Sequence, residues 1–131
     1  MDLQAKLNIG SGSTVLVSGV PSDVELDLGD TTLVRVDSRT VPAAGSDADA
    51  VIVFAVDRAE LAGRSDPLIE CALADRVAWL AYPKGGQLGT DLNRDLVNDA
   101  LAPAGLRPVR QVAIDSTWSA LRFRPGQLRE P

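Results

Sequence analysis

Apolar residues in this chain fall into short uninterrupted runs separated by glycine, proline and acidic residues. The runs at 14–18, 32–36, 50–56 and 76–82 are of strand length, and turn-forming residues bound most of them. The third, Ala50-Val51-Ile52-Val53-Phe54-Ala55-Val56, is apolar at every position. Such continuity predicts a central parallel strand covered on both faces.

Between these runs the spacing turns helical. Leu3 and Leu7 share one side of a short predicted helix over 2–8. Pro21 suits a first helical turn, Val24 and Leu28 lie four apart and Gly29 stands where a C-terminal cap belongs, so a helix of about two turns is expected there. Asp57 and Glu60 have capping-box spacing, and Asp66 before Pro67 predicts a second helix start followed by the stripe Leu68, Ile69, Ala72 and Leu73. Over 91–101, Leu92, Leu96, Val97, Ala100 and Leu101 fall on one face, with Thr90 as the expected cap. Residues 38–49 have no helical period and predict an irregular connection. The strand-like runs 109–114 and 117–123 flank Asp115-Ser116 at hairpin spacing.

This order predicts an α/β fold: a three-layer, open, Rossmann-like sheet, mostly parallel, of about six strands with a C-terminal antiparallel hairpin. The interval between the first two strands accommodates the crossover of about a dozen residues that parallel pairing requires. A length of 131 residues fits one domain over 1–131 with one core. Three or four short helices scarcely cover two faces of such a sheet, so a homodimer is expected, with a different protein partner as the other cover.

Charge and composition narrow the function classes. The net charge is −5, without the basic face that nucleic acid or an anionic membrane would need, so neither is expected as a partner. The amino terminus lacks the basic and apolar regions of a signal peptide, and no apolar run approaches the roughly 20 residues of a membrane span, so a cytoplasmic location is expected. Cys71 is the single cysteine and sits in an apolar helical run, where a small core residue is expected. The chain has no histidine, which excludes Ser-His-Asp and Cys-His triads, imidazole bases and histidine metal sites. No catalytic residue and no metal ligand is therefore assigned, and no cofactor is expected on the main reading.

Candidate ligand-binding residues lie where open α/β sheets bind, beyond the carboxyl ends of the strands. Gly19 follows the first strand and Asp37 the second, an arrangement in which a glycine admits a cofactor and a carboxylate takes ribose hydroxyls. Lys84, Gly85 and Gly86 follow the fourth strand and lead through Gly89 to Thr90, a loop suited to cradling an anion before a helix. It is not a phosphate-binding P-loop, whose lysine follows the glycines. Asp91 and Asp95 sit one turn apart near a helix start, where the helix dipole accounts for both. Trp79, Trp118 and Tyr82 are assigned to packing. Arg122 and Arg124 on the last strand either bind a partner carboxylate or discourage edge-to-edge pairing.

The stretches Ala81-Tyr82-Pro83-Lys84, Thr90-Asp91-Leu92-Asn93-Arg94-Asp95, 112–123 and 12–19 resemble the signature stretches of an actinobacterial family described only as a domain of unknown function. That resemblance brings no activity, substrate or site residue with it. More coarsely, the β-α-β-α run with its final hairpin resembles the class I methyltransferase fold. Here Val17-Ser18-Gly19-Val20-Pro21 lacks that fold's acidic residue and later glycines, and residues 38–49 are too short for the full helix and strand found there. Two functions follow: a non-catalytic or degenerate Rossmann-like binding domain, or a small-ligand protein or methyltransferase-like enzyme binding S-adenosylmethionine or a nucleotide.

Overall fold

The structure is a computed structural model, and it describes residues 3–22, 24, 26–36 and 48–126. Strands β1 (Thr14–Ser18), β2 (Thr32–Val36), β3 (Ala50–Phe54), β4 (Val77–Pro83), β5 (Leu106–Ala113) and β6 (Trp118–Pro125) form a sheet in the order β2-β1-β3-β4-β6-β5. The first four run parallel, and β6 lies antiparallel between β4 and β5. The expected mixed, mostly parallel α/β sheet is what the chain forms.

Helices α1 (Leu3–Lys6), α2 (Arg58–Leu73) and α3 (Arg94–Leu101) flank the sheet. On one face Val51, Val53, Ala78, Leu80, Leu121 and Phe123 pack with Leu61, Leu68, Cys71 and Ala72 of α2 and with Val97 and Leu101 of α3. On the other, Val15, Val17, Ile52, Phe54, Trp79 and Ala120 pack under Leu7, Ile9, Val24 and Leu28. Successive residues of β3 feed the two layers in turn and all are buried, which is why its sequence shows no polar alternation. Trp79 is fully buried, and its indole N–H donates to the Leu7 carbonyl at 2.9 Å, tying the segment after α1 to the sheet.

Three local expectations are corrected. The expected helix over 21–29 is not seen at its described residues, none of which is helical: Val24, Leu26 and Leu28 all pack toward the same core layer, a period of two rather than the helical spacing. Tight turns close this segment at each end, from Val24 N to Pro21 O and from Thr31 N to Leu28 O. Asp66 does not start a helix either, because α2 runs unbroken through Pro67. An interior proline costs about 3 kcal/mol. Burial of Pro67, Leu68, Cys71 and Ala72 against the sheet offsets it. Finally, Thr90 is not the cap of α3, which begins at Arg94 with the Asn93 side chain accepting from Leu96 N at 2.8 Å.

The closing hairpin is longer than its sequence spacing implies. β5 begins at Leu106 and passes a bulge between Pro108 and Arg110, where proline cannot supply a ladder N–H. Asp115 accepts from Thr117 N at 2.8 Å and Trp118 N at 2.7 Å, making a wider connection in place of a two-residue turn. Trp118 then meets Phe54 edge to face at 5.1 Å. No helix among the described residues is long and apolar enough to cross a membrane.

Candidate functional site

The strand order reverses between β1 and β3, since the chain leaves β1 for β2 on one side and returns to β3 on the other. Open α/β sheets carry a crevice at the carboxyl ends of such a pair. Gly19 stands there immediately after β1, with φ of 72° in the left-handed region that favours glycine.

Arg64 of α2 reaches back over this point. Its Nη1 donates to the Phe54 carbonyl at 2.7 Å and to Glu60 Oε1 at 3.1 Å. A Cβ at position 19 would lie 2.7 Å from the Arg64 Cζ and 2.8 Å from the Phe54 carbonyl oxygen, so glycine is needed both for its φ and for the guanidinium beside it. The Arg64 side chain is only 16% exposed, and its Nε is buried with no hydrogen-bond partner in the structure. A hollow of about 400 Å³ opens alongside, lined by Ala59, Glu60, Gly63 and Arg64.

The start of α2 closes the crevice from the other side. Asp57 accepts from Glu60 N at 2.9 Å, and Glu60 returns a bond to Val56 N at 2.9 Å, so the capping-box spacing works with aspartate in the first place. Asp91 accepts from Arg58 N at 3.1 Å, and its other carboxylate oxygen lies 3.7 Å from Arg58 Nε. Two of the chain's own carboxylates thus answer the positive end of α2. Thr90 joins the same cluster: its hydroxyl bonds the Val56 carbonyl and accepts from Leu92 N at 2.9 Å.

Gly19 and Thr90 therefore come together around the end of β3. Asp37 lies outside the described residues; the residue before it, Val36, pairs with Ser18, which precedes Gly19. Lys84, Gly85 and Gly86 turn toward the hairpin instead, with Lys84 N donating to Thr117 O at 2.8 Å and the Gln87 amide to Ser116 O at 3.1 Å. Gly85 and Gly86 have positive φ but nothing near the place of a Cβ. Asp91 serves α2, whereas Asp95 stands in the first turn of α3.

The sequence reading missed Arg64, although Glu60 and Arg64 show the i,i+4 acid-base spacing of a helical pair. It also missed a polar group under the hairpin. The Gln111 amide donates to Tyr82 Oη at 3.1 Å and to Ser119 Oγ at 3.0 Å, and burial pushes the Tyr82 hydroxyl above its usual pKa. Cys71 is buried, and burial raises its thiol to about 11, so it stays protonated at neutral pH. A second groove, about 480 Å³ between α2 and α3, is lined by Leu61, Ala62, Leu96 and Leu101 together with Arg58, Ser65 and Asp99.

Solved structures similar to this chain share its architecture. A putative tRNA (m1A22) methyltransferase from Streptococcus pneumoniae superposes with a TM-score of 0.55 at 12% identity, covering 100% of this chain and 73% of that one. The fold is methyltransferase-like. A SAM-dependent methyltransferase from Aquifex aeolicus matches at a TM-score of 0.50 and 17% identity, over 92% of this chain and 86% of its own. A TehB-like SAM-dependent methyltransferase from Corynebacterium glutamicum gives 0.50 at 13%, over 95% and 89%. At such identities the likeness is one of fold alone. No family model matches the chain, and no curated protein matches its sequence. Within this methyltransferase-like frame β1 and β3 flank the crevice, and none of the described residues of 20–28 is helical.

Proposed function

We propose that this single domain binds a small ligand of the adenosyl or nucleotide class, through its carboxylate or phosphate, at the carboxyl ends of β1 and β3. The observation that carries this reading is Arg64: a mostly buried guanidinium at the point of strand reversal, with one N–H unpartnered and a hollow beside it. A carboxylate or phosphate of the ligand takes the place of the Phe54 carbonyl or Glu60 on that guanidinium, where a charge-assisted bond is strongest. Gly19 makes room for the Arg64 guanidinium that meets the ligand, Asp37 takes ribose hydroxyls and Thr90 borders the site. Lys84, Gly85 and Gly86 have no part in it, because their turn is tied to the hairpin. The similarity of fold to methyltransferases supports S-adenosylmethionine as the first ligand to try.

Isothermal titration calorimetry with S-adenosylmethionine, S-adenosylhomocysteine and ATP tests the proposal. Saturable binding of one of them, weakened at least about tenfold in a folded Arg64→Gln variant, is the expected result, since one charge-assisted bond is worth that much. No heat from any of the three at millimolar concentration contradicts it.

A second reading has its own support. Asp57 and Asp91 already answer the first turn of α2, and Arg64 is already bonded, so the crevice is filled by the chain's own groups. On that reading the protein is a non-catalytic interaction domain of the cytoplasm, acting as a homodimer or on another protein, and belonging to the actinobacterial family whose signature stretches it resembles. Exposed Val34, Leu73, Leu88 and Val109 give it apolar contact surface. Light scattering across a concentration series checks the dimer; a constant monomer mass contradicts it.

A further inference from the structure

On the sheet face opposite α2 and α3, the β5–β6 hairpin gathers basic side chains. Arg110 and Arg122 are paired residues on the two strands, and Arg124 follows two residues along β6 on the same face. Directly opposed like charges on a sheet destabilise it, with side chains about 5 Å apart at Cβ. The chain as a whole carries a net −5, so this concentration of positive charge runs against its composition.

Little in the fold neutralises the group. Arg124 is held by Asp75 through two bonds of 3.0 Å, which uses both oxygens of that carboxylate. Among the described residues neither Arg110 nor Arg122 has an ion-pair partner within 4 Å. Arg122 is half-buried beside Trp79, its neighbour in register on β4, and its Nε is buried with no hydrogen-bond partner among the described residues. Burial, with the charges of Arg124 and Arg110 behind it, lowers the pKa of Arg122 against the opposing pull of Asp75.

We infer that the paired Arg110 and Arg122, bordered by Arg124, form a binding site for a phosphate-type dianion. One tetrahedral oxyanion spans the outer Nη groups of two guanidinium groups across a strand pair and removes their repulsion. Isologous packing of a second copy on this patch sets arginine against arginine, so the occupant is an anion rather than the same surface of the same chain. The site lies toward the amino end of β4, while the crevice of Gly19 and Arg64 lies at the carboxyl ends of the strands, so the two proposals stand or fall separately.

The experiment follows the Arg122 Nε–Hε resonance by ¹⁵N NMR while inorganic phosphate, pyrophosphate or ATP is added at constant ionic strength. A saturable shift is expected with pyrophosphate, weakened about tenfold in Arg110→Gln and unchanged in Arg35→Gln, a surface control on β2. A response to inorganic phosphate as well identifies the bare dianion as sufficient, and a response to ATP alone assigns the site to a nucleotide polyphosphate. Arg110 is exposed, so its variant keeps the fold even if Arg122→Gln does not. No saturable shift with any of the three, or equal affinity in Arg110→Gln, overturns the inference.

Discussion

Two glycine turns close the carboxyl ends of the sheet, and they differ in what surrounds them. After β1, Gly19 lies under the Arg64 guanidinium and against the Phe54 carbonyl, with no room for a side chain. After β4, Gly85 and Gly86 adopt positive φ over open space, with Lys84 beside them. A glycine run in a sequence therefore says that the backbone turns sharply, while packing decides whether anything approaches it. The fuller glycine signal belongs to the turn with open space where a Cβ would stand, and the single glycine to the turn that packing closes over.

The largest effect that sharpens this contrast is expected from Gly19→Val. A β-branched residue at this φ, pressed on Arg64 and Phe54, is expected to cost about 3 kcal/mol, read as a lower urea midpoint at unchanged m-value. Arg64→Ala removes a charge-assisted bond to the Phe54 carbonyl and is expected to cost about 2 kcal/mol. The double variant is the sharper test: with the guanidinium gone, Gly19→Val costs about 1 kcal/mol less than in the parent chain. Strict additivity breaks the claim that Gly19 answers Arg64. Gly86→Ala has only its φ of 78° to contend with and is expected to cost about 1 kcal/mol. Lys84→Ala is expected to change stability by less than about 0.5 kcal/mol, because its hydrogen bonds among the described residues are made by its backbone N–H and carbonyl, which alanine keeps.

Strands were more legible than helices in this sequence, for a physical reason. The 50–56 run is apolar throughout because successive residues of β3 enter two different core layers, so the signal is local and survives without knowledge of its neighbours. Helix boundaries depended on tertiary packing. Val24 and Leu28 four apart satisfy a helical template, yet Leu26 packs toward the same layer and no described residue of the segment is helical. Pro67 reads as a beginning but is buried inside α2. Thr90 has the chemistry of a cap and uses it on the Val56 carbonyl, with Asn93 capping α3 instead.

The candidate site was only partly legible. Gly19 was singled out by its place after the first strand, and that place follows from the chain's own strand order. Arg64 was not, because its role depends on α2 lying across β3, a contact between residues ten apart that no spacing rule for ligand sites describes. Its i,i+4 relation to Glu60 reads equally as a surface ion pair, and only burial separates the two. The arginine pair on the hairpin was hidden likewise: Arg110 and Arg122 meet only through the antiparallel register beyond the Pro108 bulge.

The most direct test of the central claim is a ¹H–¹⁵N NMR titration of the protein with S-adenosylmethionine and then ATP, following the Gly19 amide, the Arg64 Nε–Hε and the amides of Gly85 and Gly86 together. Saturable shifts at Gly19 and Arg64, with Gly85 and Gly86 unmoved, are the predicted result. Shifts confined to the Gly85-Gly86 turn, or none at Gly19 and Arg64 at millimolar ligand, contradict it.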